Sequence, residues 1–337
     1  MNYIIKFGLD FFSLVRTISF MEKTTILITG AGGSVGQMLL AHFVKDPSLQ
    51  IRALERSEQA IAELLHLYKD NKNIELYFAD LMQPETLSEP LSGCDIVIHC
   101  AAYKHVNIGK AFPTQQVQEN ITAFCNILNL SRRAKIKKFL FCSTDKAATP
   151  TSVMGSTKYL LEQICMNATT PSFTAAAVRF GNILWSNGSL LPLIEKKIMA
   201  DQDITLNHEQ MTRYLMHKHE VIDLILFALE NMRGGEIFTY NAVAASIKDV
   251  MEVVLEKSAK KQPKIVISTK ATHENIHERF IHPEEAGKVR KQGQFLAIHT
   301  SYGNKPDQEE LERALSSKTK LLSKSEIKKF LYDQHPT

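Results

Sequence analysis

Residues 24–43 read TTILITGAGGSVGQMLLAHF. A β-branched apolar run ends in a glycine loop, and a helix-forming run begins inside that loop. Gly30, Gly33 and Gly36 have the spacing that permits a tight turn, close approach of backbone to a pyrophosphate, and close packing of helix on strand. The free N–H groups of the helix start then face the phosphates. A glycine pattern alone says little. With a strand before it and a helix after it, it becomes a dinucleotide-binding signature.

Working outward, short apolar runs alternate with longer helical stretches. Candidate strands are Thr24–Thr29, Gln50–Leu54, Ile74–Phe78, Ile96–Cys100, Lys138–Cys142 and Thr174–Arg179, with helices near 34–45, 57–70, 112–134 and 155–168 between them. Strands that are apolar throughout and separated by helices predict an α/β fold, a doubly wound parallel sheet covered on both faces. After Arg179 the rhythm breaks in RFGNILWSNGSLLP. Helices near 189–200 and 217–232, a short run at Ile204–Leu206 and a strand at Glu236–Tyr240 predict a smaller lobe. The expected division is an extension at 1–21, a dinucleotide domain at 22–180, and mainly a substrate lobe at 181–337. KTKLLSKSEIKKFLYDQ near the C-terminus reads as one polar helix, with Ser323 a candidate N-cap.

Composition excludes several classes. The 337 residues carry 40 Lys+Arg against 36 Asp+Glu, a net charge of +4, and 44% apolar residues. Such a chain builds a deep core and is neither disordered nor collagen-like. With no basic cluster, nothing points to nucleic acid. Cys94, Cys100, Cys125, Cys142 and Cys165 are odd in number and lack CxxC spacing, so they read as buried reduced thiols of a cytoplasmic protein, with no metal site. No apolar run reaches the roughly 18 residues of a membrane span. In residues 1–20, Lys6, Asp10 and Arg16 interrupt the apolar stretch, which argues against a signal peptide. Its apolar positions could form one helix face, or Met21 could be the true start.

Candidate site residues fall at strand ends. Glu55 ends the second strand, 19 residues after Gly36. A carboxylate there accepts from ribose hydroxyls and repels a 2′-phosphate, which favours NAD; Arg56 beside it leaves NADP open. Asp80 and Leu81 follow the third strand, where the adenine would lie, and Ala101 and Ala102 follow the fourth. FLFCSTDKAATP sets Ser143, Thr144, Asp145 and Lys146 just beyond the fifth, the edge where open parallel sheets bind ligands. Met154-Gly155-Ser156-Thr157-Lys158 then opens a helix.

TGAGGSVG, FADL, AAYKHV, STDKA, MGSTK, VRFGN and MTRYLM, in this order over roughly residues 22–290, resemble the nucleotide-sugar branch of the extended short-chain dehydrogenases/reductases. The closer likeness is to bacterial UDP-N-acetylglucosamine 4,6-dehydratases of polysaccharide biosynthesis. The resemblance implies a tightly held, recycled NAD(P) that takes hydride from C4 of the sugar and returns it at C6. It implies Lys146 as base for the C5 proton, Asp145 as acid for the C6 hydroxyl, Thr144 as a sugar contact, and Lys158 beside the nicotinamide ribose. Gly30, Gly33, Ser34, Val35, Gly36, Glu55, Arg56, Asp80, Leu81, Ala101, Ala102, Lys104, Asn120 and Lys158 would hold the cofactor. Lys104, His105, Thr144, Asn182, Ser189, Arg213 and Glu274 would meet the UDP-sugar, Arg213 through its fork of donors.

Two departures stand out. Met154 occupies the position where most of the superfamily has the Tyr of YxxxK, so the usual base for the 4-hydroxyl is missing; some dehydratases of this branch share the Met. The segment usually reading RxGEKxxE is here KATHENIHE, which keeps Glu274 and Glu278 but has Ala271 for Arg, beside Lys270. The readings that follow are a UDP-sugar 4,6-dehydratase, a UDP-sugar 4-epimerase, or a catalytically silent dinucleotide-binding sensor or scaffold. Family members are commonly oligomeric, which implies a homo-oligomer.

Overall fold

The computed structural model describes residues 24–257, 263–268, 274–299 and 303–332. The N-terminal helix face and the Lys270–Ala271 departure lie outside them. Six strands match the expected runs to within two residues: β1 (Thr24–Thr29), β2 (Leu49–Glu55), β3 (Ile74–Phe78), β4 (Ile96–His99), β5 (Lys138–Thr144) and β6 (Thr174–Phe180). Helices α1 (Ser34–Phe43), α2 (Glu58–Tyr68), α3 (Ala123–Arg133) and α4 (Val153–Met166) connect them. Eight further strands follow: β7 (Asn182–Ile183), β8 (Ile204–Leu206), β9 (Thr212–Met216), β10 (Ile237–Tyr240), β11 (Val243–Ser246), β12 (Ile265–Ile267), β13 (Val289–Gln292) and β14 (Phe295–Ile298).

The large sheet runs β13-β14-β10-β6-β5-β4-β1-β2-β3. Seven strands, from β10 to β3, pair in parallel, and β14 and β13 close the edge antiparallel. This is the doubly wound α/β sheet. Chain order reverses between β1 and β4, which opens a crevice at their C-terminal ends. Smaller sheets, β11-β9-β7 and β12-β8, build the lobe with α5 (Leu190–Met199) and α7 (Ile247–Lys257). Helix α6 (Lys218–Asn231), expected in the lobe, instead buries Val221, Leu224, Ile225 and Ala228 in the core of the large sheet. The lobe has its own apolar core around Leu191, Ile194, Leu206, Met211 and Val250.

Three further segments differ from expectation. Residues 237–240, assigned to the lobe, join the large sheet beside β6, because Ile237, Phe238 and Thr239 are fully buried like the other central strands. The long helix at 112–134 is divided: Pro113–Val117, one wide turn at Gln118–Thr122, then α3. The C-terminal helix begins only at Lys324. Glu326 N–H donates to Ser323 Oγ at 3.4 Å while Ser323 N–H donates to the Glu326 carboxylate at 2.8 Å, a reciprocal cap that starts the helix there. Residues 318–322 precede it, and the helix buries Ile327 and Leu331 in the lobe core.

Candidate active site

A cavity of about 480 Å³ lies over the crevice and extends from the glycine loop to the segment 186–189. Gly30 has φ +66°, and a Cβ there would stand 2.7 Å from Ala101 Cα; one on Gly36 would stand 2.4 Å from Gly30 O. Neither position has room for a side chain. The first turn of α1 has no side-chain cap, so its N–H groups face the cavity wall formed by Gly33, Ser34 and Val35. Glu55 Oε2 accepts from Gly32 N–H at 3.0 Å, and Oε1 from Arg56 and Ser57 N–H at 2.9 and 3.1 Å, which fixes the carboxylate at the end of β2. Uncapped helix start, glycine cradle and strand-end carboxylate together fit a dinucleotide.

Arg56 is held among acids. Its Nη1 bonds to Glu119 at 2.6 Å and lies 3.9 Å from Asp80, and its guanidinium sits over the Tyr103 ring. Leu81, Ala101, Ala102, Lys104 and Lys158 complete this wall. Asn120 does not line it. Buried behind, Asn120 accepts from Tyr103 N–H at 2.8 Å and donates to Thr157 at 3.0 Å, bracing the wall against α4. Glu119, Tyr103 and the thiols of Cys100 and Cys142, with Sγ atoms 3.5 Å apart, line the cavity without having been singled out for it. The two cysteines meet because β4 and β5 end in register.

At the other end, Thr144 and Lys146 face the cavity together with Met154 and Lys158. Lys158 Nζ donates to Cys142 O at 2.8 Å and stands 4.5 Å over the Phe141 ring. Burial lowers its pKa to about 8. Asp145 is not in the wall. It is fully buried beneath its neighbours, with Oδ1 accepting from Thr144 Oγ1 at 2.8 Å and from Lys146 Nζ at 3.1 Å. Its Oδ2 has no hydrogen-bond partner among the described residues. Burial pushes the Asp145 pKa up; Lys146 opposes this and Glu278 adds to it.

Lys146 Nζ also lies 3.4 Å from Glu278 Oε1. Burial works against the ammonium, but the two carboxylates outweigh it and raise its pKa above the ordinary value. Glu278 in turn is 3.7 Å from Arg213 Nε, and Arg213 Nη2 is 3.2 Å from Glu274. Arg213 further donates to the carbonyls of Thr212, Asn275 and Ile276. Arg213 and Glu274 therefore meet each other, outside the cavity wall, and reach it through Glu278 and Lys146. Glu278 stood in the KATHENIHE motif but had been given no role.

Asn182, Ser189, Lys104 and His105 line the cavity. Ser189 precedes α5 without capping it, and its buried Oγ has no partner among the described residues. Lys104 Nζ donates to Asn187 O at 2.8 Å, and Asn187 N–H donates to Ser34 Oγ at 3.1 Å, so residues 186–189 strap the lobe to the glycine loop. Among the described residues no helix is long and apolar enough to cross a membrane, and no three His, Cys, Asp or Glu cluster as metal ligands.

Comparison with known proteins bears on this geometry. A family model described as polysaccharide biosynthesis protein matches residues 26–300. An uncharacterized membrane protein of Methanocaldococcus jannaschii is 33% identical over 93% of this chain and 96% of its own length. A UDP-glucose 4-epimerase of Rickettsia felis is 30% identical, covering 83% of each chain. The X-ray structure of Pen from Bacillus thuringiensis superposes with a TM-score of 0.87 at 26% identity, over 94% of this chain and 99% of that one.

Proposed function

The chain belongs to the polysaccharide-biosynthesis family of extended short-chain dehydrogenases/reductases, and from that premise we propose that it is an NAD-dependent UDP-N-acetylhexosamine 4,6-dehydratase acting on UDP-N-acetylglucosamine. The observation that carries this reading is the Asp145–Lys146 pair at the end of β5, one partner facing the cavity and the other buried behind it at 3.1 Å.

A nicotinamide dinucleotide in the cavity supplies the acceptor for the C4 hydrogen and the donor that returns it to C6. A carbonyl at C4 makes the neighbouring C5 hydrogen acidic, and elimination then needs a base at C5 and an acid at the C6 hydroxyl. Lys146 Nζ is the base. Asp145, whose burial favours its protonated form, is the source of the acid. Because Asp145 lies behind the wall, its proton reaches the leaving hydroxyl through Thr144 Oγ1, which touches both Asp145 and the cavity. The 4-hydroxyl proton passes to water, its loss favoured by the positive charge of Lys158, because Met154 cannot accept it. Lys146 returns its proton to C5 as the hydrogen returns to C6, and Asp145 regains one from water. Glu55, with Glu119 and Asp80 around Arg56, opposes a 2′-phosphate and supports NAD over NADP.

The second reading is a UDP-sugar 4-epimerase, favoured by the name of the Rickettsia relative. An epimerase returns hydrogen to C4 and has no use for an acid at C6. A proton NMR time course with UDP-N-acetylglucosamine and no added reductant decides between them. A new C6 methyl doublet is the expected result; conversion to the C4 epimer would replace the dehydratase reading with the second.

A further inference from the structure

Glu278 belongs to no strand or helix, yet it is 1% exposed and stands where the two basic groups of the site converge. Its Oε1 is 3.4 Å from Lys146 Nζ and 3.7 Å from Arg213 Nε. Its Oε2 accepts from Asn275 Nδ2 at 3.3 Å, and its backbone N–H donates to Ser317 Oγ at 2.9 Å. A buried carboxylate with three side-chain partners costs desolvation free energy that a loop residue gains nothing from unless its partners need it. We propose that Glu278 is a positioning residue that aims Lys146 at the cavity and keeps the Asp145–Lys146 pair supplied with the proton that the elimination uses. This rests on the dehydratase reading of that pair.

The proton count shows the need. An ammonium cannot remove a C5 hydrogen. Lys146 must first pass one proton to Asp145 across their 3.1 Å contact. The ammonium and carboxylate become an amine and a carboxylic acid, with the pair's net charge unchanged. That single transfer creates both the base for C5 and the acid for C6. It works only while the pair still holds the proton at working pH. Glu278 remains ionised, since Lys146 and Arg213 outweigh its burial and lower its pKa. Its fixed negative charge raises the proton affinity of both partners. The charged groups facing Lys146 are Asp145 beside it, Glu278 from the segment after β12, and Arg213 from β9, which adds to burial in lowering its proton affinity.

The test reads Lys146 directly. The full chain is labelled with acetic anhydride across a pH series, and modification of Lys146 is quantified by mass spectrometry, with exposed Lys137 as internal reference; only the neutral amine reacts. Glu278→Gln is expected to move the Lys146 midpoint down by roughly 1–3 pH units, leaving Lys137 and dinucleotide binding unchanged. Glu278→Asp keeps the charge but withdraws it, and is expected to move the midpoint in the same direction by less. The kcat–pH profile of the Gln variant should move with the labelling. A Lys146 midpoint unmoved in both variants overturns the proposal. Should the wild type form no 4-keto-6-deoxy product, the dehydratase reading falls while labelling still decides what Glu278 does to Lys146. Product formation with an unmoved midpoint defeats Glu278 alone.

Discussion

The two ends of the cavity are built by different means. The dinucleotide end is mostly backbone: a glycine loop, a helix start, small residues, and one carboxylate fixed by three N–H groups within 25 residues of the loop. The Lys146 end is side-chain charge, assembled from Asp145, Lys146, Arg213, Glu274 and Glu278. Backbone sites are encoded by local spacing and tolerate their surroundings. A charge cluster drawn from distant segments depends on how those segments are docked. Arg179 does much of that docking. Fully buried on β6, it bonds to Glu162 of α4, to Glu285, and to the carbonyl of Phe280, two residues from Glu278.

If the ends are separable, substitutions should affect one and spare the other. The largest effect is expected from Lys146→Ala, with turnover lower by about 10²–10⁴ and dinucleotide affinity unchanged by calorimetry. Loss of binding as well would join the two ends into one unit. Arg179→Met leaves two buried carboxylates without their cation, and should cost about 3–5 kcal/mol of stability in urea unfolding. Gly36→Ala forces a Cβ against Gly30 O and should cost about 1–3 kcal/mol, weakening dinucleotide binding while the pH dependence of Lys146 labelling stays as it was.

The last prediction concerns pH dependence, where two buried groups act with opposite signs. Burial alone would raise the Glu285 pKa, but His299 and Arg179 bring it to about 2 from an ordinary 4.5. Its contribution is present above pH 4.5 and is lost as pH falls toward 2. For Lys158, burial lowers the pKa to about 8 from 10.5. The folded chain pays for the buried ammonium below pH 8, and stability rises as pH increases from 8 to 10.5. Urea unfolding at stepped pH should show both slopes, and Lys158→Met should flatten only the alkaline one.

How much was readable in advance follows the same division. The first six strands and the glycine loop were legible because period, apolar runs and glycine spacing are local properties. Residues 237–240 were misplaced because an apolar run announces burial and not the sheet that buries it. At the site, Thr144, Asp145 and Lys146 were found as a string, but the string could not reveal that Asp145 turns inward while its neighbours face the cavity. Arg213, Glu274 and Glu278 carried a family signal without distances, so their convergence on Lys146 through Glu278 had to come from the fold.

The most direct test of the central claim follows UDP-N-acetylglucosamine carrying deuterium at C4 through a single-product assay. The account predicts that the deuterium appears in the C6 methyl group of a 4-keto product, and that this transfer fails in Lys146→Ala. Deuterium retained at C4 in an epimerised sugar would contradict it.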